Sequence, residues 1–403
     1  MRSVLAIVIG SNDMTVATFD SAASSAVSII DRTVVGTDVH IGDDARVVEP
    51  ARRVGDPVPI FLPDGRSATG ATLVARSIAE LAARRAHDAV VVVHPATWTR
   101  QAVSTLDAEL GACGVSAQLV DRPTVADRWL RSVGAIPPGA QAVVVEAGAD
   151  ETVVSCSRSE AGRTGVVTEP GADPFGAVST DRVLLAHVVK QVRASHPSFD
   201  PADPANWNEL HDVARRVSAA RRRLDGSPAV EIDVHLGGVR RTLRVLRSEL
   251  EELIVADVLR MASRVGGTLS QFRTPVDAVT VHGAAASIPL VAETLSARIR
   301  RPVVLADTPE AVVIKGAVLW GVGPVESEAP TVPTVVAPAS HSALGKPHSR
   351  WARSRVWAFS GTTAVVLVLG GFFAAHTVGG PQDPGSGASV PSAQMVSVGP
   401  SGR

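Results

Sequence analysis

The chain has 403 residues, 39 basic and 40 acidic side chains, 45% apolar residues and two cysteines. That length exceeds one ordinary domain, and the cancelling charge excludes the strong global field that would gather nucleic acid or an acidic surface. Cys113 and Cys156 lack metal-type or redox-type spacing, which suits small buried residues in a reducing compartment.

The first strand is read in "SVLAIVIG". This short apolar run carries no small-residue cleavage site and stops at Asn12 and Asp13, so it is not read as a signal peptide. "MTVATFD" follows, and the polar turn Ser11, Asn12, Asp13 between the two runs predicts a hairpin. After Gly70 come a helix, "ATLVARSIAELAARRA", a buried strand, "DAVVVVHP", a helix beginning near Thr99, and a short strand, "SAQLVD". The hairpin pattern then returns in "AQAVVVEAG" and "TVVSCSR", around a small polar turn at 149–151. A helix from about Thr180 is followed by one through "ELHDVARRVSAARRRL", a strand pair, "AVEIDVHL" and "RRTLRVL", and a helix starting at Ser248 and Glu249. A strand at 276–281 and a helix through "IPLVAETLSARI", with proline near its start, close the series. A hairpin followed by alternating helices and strands, met twice, predicts two related α/β lobes with a cleft between them. Ligands of such sheets lie at strand ends where glycine turns converge.

The turn "HGAAAS" after the last strand has two readings. Small residues let a ligand's phosphates or sugar approach the backbone at a helix N-terminus, or the turn simply fills its own space.

Beyond the core, expected at 1–321, residues 322–355 are rich in Pro, Ala and Ser and read as a tether. Residues 356–378 contain no Asp, Glu, Lys or Arg, and a helix needs roughly 20 such residues to cross a ~30 Å hydrocarbon core. Arg350, Arg353 and Arg355 precede this run and Asp383 follows it, so the positive-inside rule predicts one plasma-membrane span with the N-terminal part cytoplasmic. Residues 379–403 read as a disordered outer tail.

The ordered set of segments resembles the actin-like ATPase fold, in particular the nucleotide-binding domain of Hsp70 chaperones. "LAIVIGSND" stands where that family has its first phosphate loop, and "VVVEAGADETVVSCS" stands at the second. "VVVVHPATWTRQA" resembles the strand ending in a Val-Pro-Ala-type turn, and "RRVSAARRRLDGSPAVEIDV" the helix and strand beside the adenine. "VTVHGAAASIPLVAETL" with "TPEAVVIKGAVLW" resembles the adenosine loop and final helix. The resemblance implies a two-lobed α/β fold whose cleft takes ATP or ADP. The nucleotide would lie on Gly10, Ser11 and Asn12, on Glu146, Gly148 and Ala149, on Arg221 and Arg222, and on Gly283, Ala284 and Ala285.

Departures from the family pattern bear on turnover. Where the family's first loop has Asp-Leu-Gly, this chain has Val8, Ile9 and Gly10, and valine cannot bind a hard cation. Magnesium is therefore not expected to be held tightly. The second loop keeps one acid and one glycine of the family pattern, with bulkier neighbours. No lysine occurs before Lys190, and arginine cannot serve as a base in its place. Alignment on Leu224 sets Arg221 and Arg222 at the family's base-stacking Lys-Arg pair, with Ser218 replacing a glutamate; a solvated arginine face is the alternative. His282 and His94 have no carboxylate orienter nearby in sequence and are read as structural. No catalytic or metal-binding residue is assigned.

The family's β-rich substrate domain is replaced here by tether, span and tail. An Hsp70-like domain with one C-terminal span, in a chain rich in Arg, Ala and Val, resembles the actinobacterial type VII secretion-associated proteins. That implies a membrane-anchored accessory or scaffold, contacts to secretion components or substrates, and no nucleic-acid partner. The alternative is a slow Mg-ATPase in which Glu146 takes over the metal's water shell. A sugar kinase of the same fold ranks third, since no second acid-rich pocket stands out.

Overall fold

The computed structural model describes residues 3–11, 13–20, 31–36, 39–41, 46–62, 64–160, 163–168, 172–272, 275–323 and 334–336. The expected span at 356–378 and the tail lie outside these residues. Among the described residues no helix is long and apolar enough to cross a membrane.

The protein is mixed α/β, built on two sheets with matching local order. In the first, β1 (Ser3–Ile9) pairs antiparallel with β2 (Asp13–Asp20), which pairs with β3 (Asp31–Gly36). Two small hairpins come next, β4 (Val39–Ile41) with β5 (Arg46–Val48) and β6 (Ile60–Phe61) with β7 (Ser67–Ala68). On the other side of β1 lie β8 (Ala89–His94) and then β9 (Ala117–Asp121), both parallel to their neighbours. In the second sheet β10 (Ala142–Ala147) pairs antiparallel with β11 (Thr152–Glu160), and β11 with β12 (Arg163–Thr168). The strand pair β13 (Ala229–Leu236) and β14 (Val239–Leu246) stands apart. Parallel to β10 run β15 (Ala278–His282) and then β16 (Val303–Leu305). The second sheet ends on β17 (Thr334–Val336), antiparallel to β16.

Among the described residues, eight α-helices connect the strands: α1 (Gly70–Ala83), α2 (Arg100–Ala112), α3 (Arg122–Ser132), α4 (Ala177–Ser195), α5 (Trp207–Leu224), α6 (Arg247–Gln271), α7 (Pro289–Ile299) and α8 (Val312–Val322). The side-chain hydroxyls of Thr69 and Thr99 accept the backbone N–H of Thr72 and Ala102 and start α1 and α2. The Asp121 carboxylate does the same for α3, accepting from Thr124 N at 2.8 Å, with Pro123 in the first turn where no N–H is needed.

Strand composition follows layer position. β1 and β10 are apolar almost throughout because helices cover both faces, whereas β13 alternates buried and exposed positions because one face meets solvent. Along β1, Leu5, Ile7 and Ile9 pack with α1 and α2, while Val4, Ala6 and Val8 join a cluster with Val125 and Leu130 of α3 and Val312 and Ala317 of α8. Along β10, Ala142 and Val144 enter that same cluster, and Val143, Val145 and Ala147 face the core under α4–α7. The α3 and α8 pair is thus the apolar layer shared by the two sheets. Its helices are also tied by two reciprocal cation–π contacts, Arg128 over Trp320 at 5.3 Å and Lys315 over Trp129 at 5.2 Å.

Two differences from the sequence expectations stand out. The segment 122–132, left unassigned above, is α3. Within the stretch read as a tether, Thr334–Val336 forms an edge strand whose last carbonyl accepts the hydroxyl of the buried Ser296 at 2.9 Å.

Candidate functional site

The period-2 alternation that divides β10 between two layers also aims its one charged residue. Glu146 has the parity of Ala142 and Val144, so its side chain turns toward the α3 layer, and it is 6% exposed. His282 is its register partner on β15 and is fully buried. A buried carboxylate needs a cationic partner, and the first residue of α3 supplies it. Arg122 donates from Nη1 to Glu146 Oε1 at 2.7 Å and from Nη2 to the carbonyl of Ile9 at 2.6 Å. One guanidinium therefore joins the C-terminal end of β1 to the equivalent end of β10.

Above it, the β1–β2 and β10–β11 turns are built alike. Gly10 N–H donates to the carbonyl of Asp13 at 2.8 Å, and Gly148 N–H donates to the carbonyl of Glu151 at 2.9 Å. Both positions need glycine: a Cβ would come within 2.9 Å of the accepting oxygen in each turn. The turns touch. The Ser11 hydroxyl donates to Asp150 Oδ2, Arg52 donates to Asp150 Oδ1 at 2.8 Å, and Thr97, from the loop after β8, donates to Glu151 Oε1 at 3.3 Å. Three segments around the first sheet thus hold one acidic turn of the second. Beside Thr97, the rings of His94 and Trp98 stack with centroids 5.8 Å apart.

Electrostatics here are dominated by burial. Burial pushes the Glu151 carboxyl above its ordinary range, the Thr97 hydrogen bond opposes this, the neighbouring Asp150 and Glu146 charges reinforce it, and Arg122 opposes it. Burial holds His282 below the usual histidine range, with Glu146 opposing and Arg122 adding to the effect. Neither ring nitrogen of His282 has a hydrogen-bond partner among the described residues.

The imidazole in the folded chain therefore stays neutral below pH 6.5, the ordinary value of about 6.5 applying only when unfolded. The unfolded state then binds the extra proton, so stability falls as pH drops below that value, by at most about 1.4 kcal/mol per pH unit. Glu151 acts in the opposite sense: its raised folded value adds stability as pH falls. The expected result, in a Glu151→Gln background that removes the second effect, is a steeper loss of unfolding free energy between pH 6.5 and 5.5 with His282 present than with His282→Leu. Denaturant titrations at the two pH values check it; parallel slopes would show that His282 titrates normally.

The other expected nucleotide residues lie on the second sheet's side. Arg221 is 3% exposed and donates to Asp181 Oδ1 at 2.7 Å, with Asp225 at 3.7 Å, while Arg222 is exposed. Burial raises Asp225, against the Ser287 hydrogen bond of 2.8 Å and the charges of Arg221 and Arg247, with Asp181 reinforcing. Gly283 has φ +106, and a Cβ there would overlap the carbonyl of Ala147. That same carbonyl accepts the N–H of Ala285 at 2.9 Å, and Gly283 N–H donates to Pro309 O at 2.9 Å. Ala284 and Ala149 flank these contacts, Ala149 on the exposed crest of its turn. Asn12 lies outside the described residues.

Of the expected residues, Gly10, Ser11, Glu146, Gly148 and Ala149 gather at the facing turns, and the 283–285 turn meets them through Ala147. Arg221 instead closes a separate acid–base cluster with Asp181, Asp225 and Ser287. The sequence reading missed Arg52, Thr97 and Arg122. Arg122 had a usable signal, since Asp121 followed by Arg-Pro-Thr is a helix start with an acidic cap and proline in the first turn. Arg52 and Thr97 had none, being loop residues brought in by tertiary packing.

At the facing turns the carboxylates of Glu146, Asp150 and Glu151 are already engaged, by Arg122, by Ser11 and Arg52, and by Thr97. Among the described residues, no group of three or more His, Cys, Asp or Glu side chains is placed to hold a metal. No protein-family model matches the sequence and no curated protein matches it.

Proposed function

We propose that the chain is a membrane-anchored binding or scaffold module whose actin-like, Hsp70-like domain has two lobes held together by direct side-chain contacts, and that it hydrolyses ATP poorly or not at all. The observation that carries this reading is the clasp: Ser11 and Arg52 on Asp150, with Arg122 on both Glu146 and the Ile9 carbonyl. In a nucleotide-driven machine, ligand phosphates supply the bridge between facing turns. Here the bridge is made of protein groups, with Ser11, Arg52 and Arg122 donating to the chain's own acceptors. The matching turn geometry at Gly10 and Gly148 supports an actin-like ancestry for the two sheets, because a repeated strand–turn–strand unit is what that fold repeats. By the same resemblance, the module serves type VII secretion as an accessory at the plasma membrane, with its core in the cytoplasm. The apolar run at 356–378 then keeps the core within tether reach of membrane partners.

Phosphate release from Mg-ATP by the full chain tests the non-catalytic half. The expected result is release at the background rate and no change with Glu146→Ala. Release well above background that disappears in Glu146→Ala would instead establish the slow ATPase.

A further inference from the structure

The described chain leaves the fold at Val336, and its surroundings have a distinct chemistry. The Ser296 hydroxyl contacts the carbonyls of both Arg301 and Val336 at 2.9 Å, so the exit point lies against the C-terminal end of α7. Three arginines stand there, Arg298, Arg300 and Arg301, all exposed. Arg300 caps the helix with φ 55. Arg301 is oriented by a 2.6 Å bond from Nη1 to the carbonyl of Val276. Beside them opens a cavity of about 370 Å3, lined by Leu269, Phe272, Val276 and Ile299 together with Arg298 and Arg301, and by no acidic residue.

This combination is a cationic rim over an open cavity whose lining mixes apolar side chains with polar surface. The negative end of the α7 dipole amounts to about half a charge, so three guanidiniums leave the rim strongly positive. A ligand suited to it is anionic, and the cavity's size falls within the range of about 300–1,000 Å3 of small-ligand sites.

We propose that this face docks on the anionic lipid headgroups of the membrane that holds the C-terminal segment, with a headgroup phosphate at Arg298, Arg300 and Arg301 over the mouth of the cavity. The proposal rests on the reading of 356–378 as a membrane span. Residues 337–355 are all that separate Val336 from that run, and a segment of that length reaches at most about 65 Å. The exit face is therefore the part of the core held closest to the bilayer. Arginines near an anionic leaflet gain about fivefold each in binding, and Arg350, Arg353 and Arg355 add to the same attraction.

The test uses the full chain in vesicles of phosphatidylcholine alone and of equal parts phosphatidylcholine and phosphatidylglycerol. Hydrogen exchange at 266–272 and 296–303 is expected to slow at least fivefold in the anionic vesicles and to return to the phosphatidylcholine rate in Arg298→Glu. That variant breaks no ion pair or hydrogen bond seen among the described residues, and unchanged exchange in α1 confirms that it is folded. Equal exchange in the two vesicle types, or slowing that survives Arg298→Glu, overturns the docking. Flotation with the phosphatidylcholine vesicles reports the anchor separately: if the chain floats but exchange is unchanged, docking alone fails, and if it does not float, the span reading fails and docking fails with it.

Discussion

Arg122→Ala is expected to lower the unfolding free energy by about 3 kcal/mol, read by chemical denaturation. Truncating one partner of a buried ion pair leaves the other charge without compensation, which costs about 3–5 kcal/mol. The lower end applies because the Arg122 side chain keeps 20% exposure while Glu146 keeps 8%. The substitution also strips the Ile9 carbonyl of a charged donor, and a lost bond of that type contributes about 1.5–3 kcal/mol, partly the same energy counted from the other end. The double variant Arg122→Met with Glu146→Gln separates charge from packing. With both charges gone, most of the loss should be recovered. If the double variant is as unstable as Arg122→Ala, the cross-link matters for shape and not for charge pairing.

Gly316→Leu is expected to cost about 4 kcal/mol or more, or to prevent folding. Gly316 lies on α8 against the backbone of α3, where a Cβ would overlap the carbonyl oxygen of Val125 and sit 2.6 Å from its carbon. Overpacking usually costs about 1–3 kcal/mol because a side chain can shift aside. Here the obstacle is main chain, held by a helix whose Val125, Ala126 and Leu130 are fully buried. Gly267→Ala on the exposed side of α6 provides the opposite case. Nothing lies within 4 Å of a Cβ there, so the gain in helix propensity of about 1 kcal/mol should appear as stabilisation. Thermal unfolding of the two variants checks both signs. Similar effects from the two substitutions would mean that the α3–α8 contact is looser than the geometry implies.

How much was legible in the sequence depended on whether burial or tertiary contact set each feature. β1, β8, β10 and β15 announce themselves as mostly apolar runs because both their faces are covered, and α5 and α6 by their long apolar period. β4 to β7, β12, β16 and β17 are short or edge strands, too brief for a residue pattern to mark them. At the site, the polar residues between paired apolar runs located both turns, and the family resemblance singled out Gly10 and Gly148. Their contacts were not legible. Whether Asp150 points at solvent, at a metal or at Ser11 depends on how two turns 139 residues apart meet, and no local pattern encodes that. Arg221 shows the same limit: the helix pattern placed it on α5, while its partner Asp181 comes from α4, 40 residues away.

The edge strand at Thr334–Val336 has a mechanical consequence. Any tension arriving along the C-terminal segment meets a ladder of only three paired residues before it meets anything else. Those few bonds give way at far lower load than the five strands behind them. The strand would peel away as a sacrificial joint, lengthening the leash while the core keeps its shape, and would re-zip when the pull relaxed.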